Sequence, residues 1–221
     1  FYFNINFMNN TPQVTKPLLR GHFHQGMFFV GLGALIPLLF RTHSLNEFIA
    51  ILIYAVCGLT MFGVSTLYHR VTWSQERRLL WKKMDHAGIY LMIAGSFTPI
   101  ALLALPESSG KILLAIIWGV AAVGILQSIF FVNVPKYVSS IIYLIAGYLI
   151  VPYIGELKIS LGILNVWLMF LGGIAYSIGA ICYALKWPQF NPKYFGYHEV
   201  FHIFVNIGAI FHFFVISSLI N

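Results

Sequence analysis

Charge is what this sequence has least of. Only 9% of its 221 residues are Asp, Glu, Lys or Arg, against about 25% in an ordinary soluble domain. A cytosolic globular enzyme, a disordered tail and a nucleic-acid-binding protein are excluded on that ground. Acid is scarcest: six acidic residues face thirteen basic ones, and Asp85 is the single aspartate. In a soluble chain the net +7 would suggest a nucleic-acid partner. In a membrane chain it reads as topology, and no nucleic acid is expected. Cysteine is nearly missing too. Cys57 and Cys182 both sit inside apolar runs, so no disulfide framework is implied. What fills the chain is apolar, 59% of it hydrophobic. This is the composition of a polytopic protein of the cell membrane.

Charged side chains are costly in hydrocarbon, so the gaps between them mark the spans. The gap from Arg20 to Arg41 holds 20 residues, Glu47 to Arg70 holds 22, and Asp85 to Glu107 holds 21. Lys111 to Lys136 encloses 24, Lys136 to Glu156 encloses 19, Lys158 to Lys186 encloses 27, and 22 follow Glu199. A helix crossing ~30 Å of hydrocarbon needs roughly 20 residues. The expectation is an all-α integral membrane protein with seven transmembrane helices. Residues 1–20 read as a tail, and residues 21–221 as a single transmembrane domain. Barrel strands would alternate apolar and polar residues, whereas Ile112 to Trp118 is apolar on every side.

Smaller features fill in this outline. Pro37, Pro99 and Pro152 fall within spans, where neighbouring helices can absorb a kink. Ala175 and Gly179, four apart, offer a small face for close helix contact. Phe1 to Asn10 reads as a frayed tail, and the first 20 residues hold no apolar stretch after a charged start, so no cleavable signal peptide is expected.

Orientation follows from Lys and Arg alone. Ten lie in the tail and the second, fourth and sixth loops, and three, Arg41, Lys111 and Lys158, lie on the other side. That asymmetry puts the amino terminus in the cytoplasm and the carboxyl terminus outside. The stretch Trp73 to Lys83 reads either as a short interfacial helix or as a plain basic loop.

Against this background the ionisable residues near spans are functional candidates. His69 ends the second span, Asp85 opens the third, and His198 and His202 open the seventh. All four map to the cytoplasmic side, although only Lys and Arg set the topology. His198 and His202 stand at i and i+4, so both imidazoles leave one helix face, as two ligands of one metal ion must. Ser65 and His69 repeat the spacing and put a hydroxyl one turn deeper than an imidazole. Three histidines and an open position would make a catalytic-type zinc site, with Asp85 placed to accept a proton from water or to orient a ligand.

Packing at a helix end remains the alternative for each histidine. His22, His24 and His43 sit near the ends of the first span, where interfacial histidines are ordinary. His86 leaves the helix about 100° from Asp85 and reads as packing or hydrogen bonding. His212 lies deeper in the seventh span and is expected to bond another helix. His198-Glu199-Val200-Phe201-His202 also matches His-Glu-x-x-His, with Glu199 as the general base of an intramembrane metalloprotease. Downstream of His202, however, stand no Asp, Glu or Cys and only His212, so a third ligand is hard to find.

Three blocks now stand in order: Ser65-Thr66-Leu67-Tyr68-His69, Asp85 to Pro99, and His198 to His202. Together they resemble the haemolysin III family, grouped with the progestin and adipoQ (adiponectin) receptors, and the short chain resembles its bacterial branch. The resemblance implies zinc held by His69, His198 and His202, with Asp85 and Ser65 beside the zinc-bound water. It also implies kinship with membrane hydrolases that include alkaline ceramidases, so a lipid amide or ester is the expected substrate. Glu199 is not carried over. The rivals are a sensor in which zinc is structural and a pore-forming or lytic protein. The apolar middles of the spans argue against a pore. Oligomeric state is not written in the sequence.

Overall fold

The computed structural model describes residues 16–191 and 193–220. Among them there is no strand, and the secondary structure is helical: α1 His22–Phe40, α2 Leu45–Arg70, α3 Gln75–Leu103, α4 Glu107–Phe130, α5 Lys136–Tyr148, α6 Ile154–Leu185 and α7 Tyr197–Ser217. The expected frayed tail, Phe1 to Asn10, lies outside the described residues.

Six stretches are long and apolar enough to cross a bilayer, and Lys136–Leu185 counts as one of them. The fifth and sixth expected spans therefore do not separate at Glu156 and Lys158. The chain leaves α5 after only 13 residues, makes a 3-10 turn at Val151–Tyr153, and is helical again from Ile154. Pro152 sits in that turn, so it ends a helix instead of kinking one. Glu156 and Lys158 fall in the first turns of α6, which breaks at Gly162 (φ 75°). Pro37 and Pro99 do lie inside α1 and α3.

A second correction concerns α3. Trp73–Lys83 is no separate interfacial helix, and Asp85 does not open the third helix. Residues 75–87 contain no Gly or Pro, so nothing breaks the helix between its start at Gln75 and Asp85. The basic residues Arg77, Arg78, Lys82 and Lys83 ride on its first turns, and Trp73 stacks on Trp81 with ring centroids 4.9 Å apart.

Contacts run α1 on α2, α2 on α3, α3 on α4, α5 on α6 and α6 on α7, and α1 returns to α7. Helix α3 also reaches α5 and α7. It is the central element, with 67% of its apolar span buried against 22% for α1. Small residues make that centrality feasible, among them Gly88, Ala94, Gly95, Ser96 and Ala101. The expected small face of α6 is used as well: a Cβ on Gly179 would lie 3.0 Å from the Cβ of Phe204 on α7. Outward-facing side chains such as Phe29, Ile112, Val123, Leu164 and Phe214 stay exposed and apolar, as a lipid-facing surface requires.

The two ends of the bundle differ in how they are held. At one end Leu18 and Leu19 donate backbone hydrogen bonds to the carbonyls of Lys193 and Tyr194. There Lys82 also reaches Asn133 across the α4–α5 loop. At the other end Arg41 reaches the carbonyl of Ile220, and Ser109 bonds Glu156.

Candidate metal centre

The first turn of α7 is fixed by Glu199. One of its carboxylate oxygens, Oε2, accepts the N–H of Gly196 at 2.8 Å, and the other, Oε1, pairs with Arg20. A carboxylate in the first turn is also favoured by the helix dipole. With that turn set, His198 and His202 project one turn apart, ring centroids 4.6 Å from each other. The last turn of α2 brings His69 to meet them, 4.7 Å from His198 and 5.1 Å from His202 by centroid. Nε2 of His69 and Nε2 of His198 stand 3.1 Å apart. All three rings are buried, and each offers a nitrogen within 4.8 Å of those of the other two. Asp85 completes the group from α3, with Oδ2 3.7 Å from Nε2 of His69.

The loop before α1 makes room for this cluster. Gly21 adopts φ 83°, a left-handed conformation that favours glycine, and a Cβ there would lie 2.7 Å from the Cβ of His69. The chain can therefore cross directly over the end of α2.

Two cavities meet at the histidines. One is mostly apolar and is walled by α1, α2, α3, α5, α6 and α7; its wall includes Ser65, Met61, Met92, Phe97, Val205 and His202. The other is polar and lies toward the basic end, with His69 in its wall. Asp85, His86, Ser139, Tyr183 and His198 line both. The cluster thus lies where an apolar cavity meets a polar one.

The structure brings together every candidate read from the sequence: His69, His198 and His202 at van der Waals range, Asp85 beside them, and Ser65 in the same cavity wall. One neighbour was missed. His24 is not an ordinary interfacial histidine: it is buried, stacks flat on His202 with centroids 3.7 Å apart, and bonds Ser65 Oγ through Nδ1 at 2.9 Å. Its sequence signal was absent because it comes from α1, with no helical spacing to any other candidate. His22, paired with Arg70, and His43 are the partly or fully exposed residues expected. His212 does reach another helix, lying 3.4 Å from the carbonyl of Met169 and edge-on to Tyr176.

Glu199 does not sit where the rival metalloprotease reading would need a general base. Its carboxylate is fully buried, is engaged by Arg20 and Gly196, and lines neither cavity. Its acid role is to anchor the segment before α1 onto α7.

As to metal, the donor set fits. Three imidazoles, buried, converging and backed by a carboxylate, suit a borderline-soft divalent ion such as zinc. Among the described residues, Nδ1 of His198 and of His202 is buried without a hydrogen-bond partner, an expense that ligation would help to offset.

A sequence profile described as haemolysin-III related matches residues 12–213. The chain belongs to that family. This haemolysin-III-related protein is 36% identical over 186 residues to Hemolysin-3 of Bacillus cereus, covering 83% of this chain and 82% of that protein. It is 35% identical over 170 residues to the Hemolysin-3 homolog of Bacillus subtilis (strain 168), covering 77% and 76%. A more distant likeness, 25% over 188 residues, joins it to the Heptahelical transmembrane protein ADIPOR2 of Oryza sativa subsp. japonica, covering 77% and 81%. With its apolar helices, the chain is a multi-pass protein of the cell membrane, related to the adiponectin receptors.

Proposed function

We propose that this chain is a zinc-dependent hydrolase of a lipid amide or ester, acting at the cytoplasmic side of the membrane. The observation that carries the reading is the position of the histidine cluster at the junction of an apolar and a polar cavity, with Asp85 on the boundary. A scissile carbonyl joins a greasy chain to a polar head, and this junction offers a place to each part. His69, His198 and His202 would hold the ion. When bound, zinc supplies Lewis acidity, which polarises a carbonyl and lets water attack near neutral pH.

The chain's own residues do the rest. Asp85 takes the proton from water at a carboxylate oxygen and returns it to the leaving nitrogen or oxygen. The C–N or C–O bond breaks, giving a carboxylic acid and an amine or alcohol. Ser65, held by His24, fixes the ring stack against His202 and keeps a hydroxyl at the cavity wall. The apolar wall excludes bulk water.

The topology that goes with this is seven transmembrane helices in one domain from residue 21 onward, with residues 1–20 in the cytoplasm and the carboxyl terminus outside. The basic end of the bundle supports it, since Lys16 and Arg20 gather there with Arg78, Lys82, Lys136 and Lys186 from the second, fourth and sixth loops and their flanks.

One observation favours a second reading. Asp85 lies close enough to His69 to act as a fourth ligand, which would make the zinc a closed staple between α2, α3 and α7 in a regulator of membrane state. Hydrolysis of acyl amides by the purified, zinc-loaded protein separates the two. In Asp85→Ala turnover is expected to drop by about 10²–10⁴-fold while the histidines keep metal. Turnover unchanged in Asp85→Ala would sink the mechanism, and zinc without any turnover would favour the staple. The relatives bear the name hemolysin, and a lytic role here would show as red-cell lysis that persists in the same variant.

A further inference from the structure

Six cations, Lys16, Arg20, Arg78, Lys82, Lys136 and Lys186, line the polar cavity, and the one acidic side chain in its wall is Asp85. They converge from four parts of the chain: the segment before α1, the first turns of α3, the start of α5, and the residue after α6. Among the described residues one of the six, Arg20, is paired with a carboxylate. Lys82 donates instead to Asn133 at 2.9 Å, and Lys136 to the Tyr197 hydroxyl at 2.7 Å, both neutral. The crowding is felt at Lys16, which burial first, and then the charges of Arg78 and Arg20, hold below the usual lysine range. Basic loops that serve topology alone need only face water. Here Arg20, Lys82 and Lys136 are half-buried and wall a cavity that ends on the histidines. Such a focused, under-compensated field concentrates anions.

Behind the histidines the apolar cavity follows α7 from His198 to His212. At ~1.5 Å per residue that is about 21 Å, more than the ~15 Å that one leaflet contributes to a ~30 Å core. Met61 and Met92 are the adaptable parts of its wall.

The geometry points to an acyl conjugate with an anionic head as the ligand. The acyl chain lies in the apolar cavity, the carbonyl at the histidines, and a carboxylate or phosphate among the six cations. The placing of the carbonyl rests on the hydrolase reading; the charge preference does not.

The test uses full-length protein in phosphatidylcholine nanodiscs, with empty discs as the blank. The probes are N-palmitoylglycine and its neutral near-isostere N-palmitoylethanolamine, with lysophosphatidic acid as the phosphate-headed arm. N-palmitoylglycine and lysophosphatidic acid should bind at least about tenfold more tightly than the ethanolamide, and that advantage should shrink as salt rises. In a Lys16→Gln, Arg78→Gln, Lys82→Gln variant the ratio should fall toward one, with ethanolamide binding as the reference for folding. Inorganic phosphate and free glycine should displace none of the probes. Equal affinity for charged and neutral conjugates, a ratio untouched by the triple substitution, or displacement by inorganic phosphate alone would each overturn the proposal. Turnover keeps the two readings apart. Selective binding without hydrolysis removes the hydrolase and leaves the anionic preference. Hydrolysis of the glycine and ethanolamine conjugates with equal kcat/KM does the reverse.

Discussion

The two ends of this bundle obey different rules. At the end away from the histidine cluster, polar groups do routine work on helix termini. Ser44 accepts the N–H of Glu47 at 3.2 Å, Glu47 accepts that of His43 at 2.7 Å, and the Lys111–Glu107 pair lies on the surface. At the other end, polar and ionisable groups are turned inward: His24, Ser65, His69, His198, Glu199 and His202 are all buried. Burial of that kind costs stability unless each group is satisfied. The lesson is that one end settles its polar groups at helix termini, whereas the other buries them together, a costly arrangement that a bound ion would help to offset.

The largest effect that would break this contrast is on metal. Wild-type protein in detergent is expected to carry about one zinc per chain, and His198→Ala with His202→Ala to carry nearly none, since a two-ligand loss leaves His69 alone; elemental analysis decides it. No metal in wild type after zinc is supplied would return the histidines to a packing role.

Next comes Glu199→Gln, which leaves Arg20 without its carboxylate. A loss of about 2–3 kcal/mol is expected, less than for a wholly enclosed pair because Arg20 retains some exposure. Thermal unfolding reads it, and a melting temperature equal to wild type would remove the anchor role.

A smaller effect sharpens the contrast through glycine. Gly21→Ala forces a side chain into a left-handed turn and against His69, at a cost of about 1–2 kcal/mol, and should weaken zinc affinity as well. Gly110→Ala at the opposite end runs into the carbonyl of Ala101; it should lower thermal stability and leave zinc affinity alone. Zinc titrations that fail to separate the two variants would mean that the ends are not independent. The smallest effect is none: Lys111→Gln removes an exposed pair and should leave the melting temperature and the metal content unchanged.

The site was more legible than the helix boundaries. His198 and His202, and Ser65 and His69, announce themselves through i, i+4 spacing because a helix turns rigid spacing into a shared face. Asp85 stands out by being the only aspartate. Charge gaps located the spans but misplaced their ends. Charge marks where a chain leaves hydrocarbon, whereas a helix stops only where its backbone is broken. Hence α3 begins at Gln75, ten residues before Asp85, and α6 begins before Glu156. Glu199 also fits a motif whose acid acts in another geometry, and here a cation brought in from 179 residues away claims it.

By itself, then, the sequence determined the solvent of this protein, its helical class and the two helix faces that carry the candidate histidines, since composition and helical periodicity are local quantities. Tertiary structure alone decided that His24 lies on His202, that Arg20 closes over Glu199, and that the histidines stand between an apolar and a basic cavity. Those facts depend on which helices are neighbours. Neighbourhood in a membrane bundle is set by small-residue packing across distant segments, which no window along the chain can read.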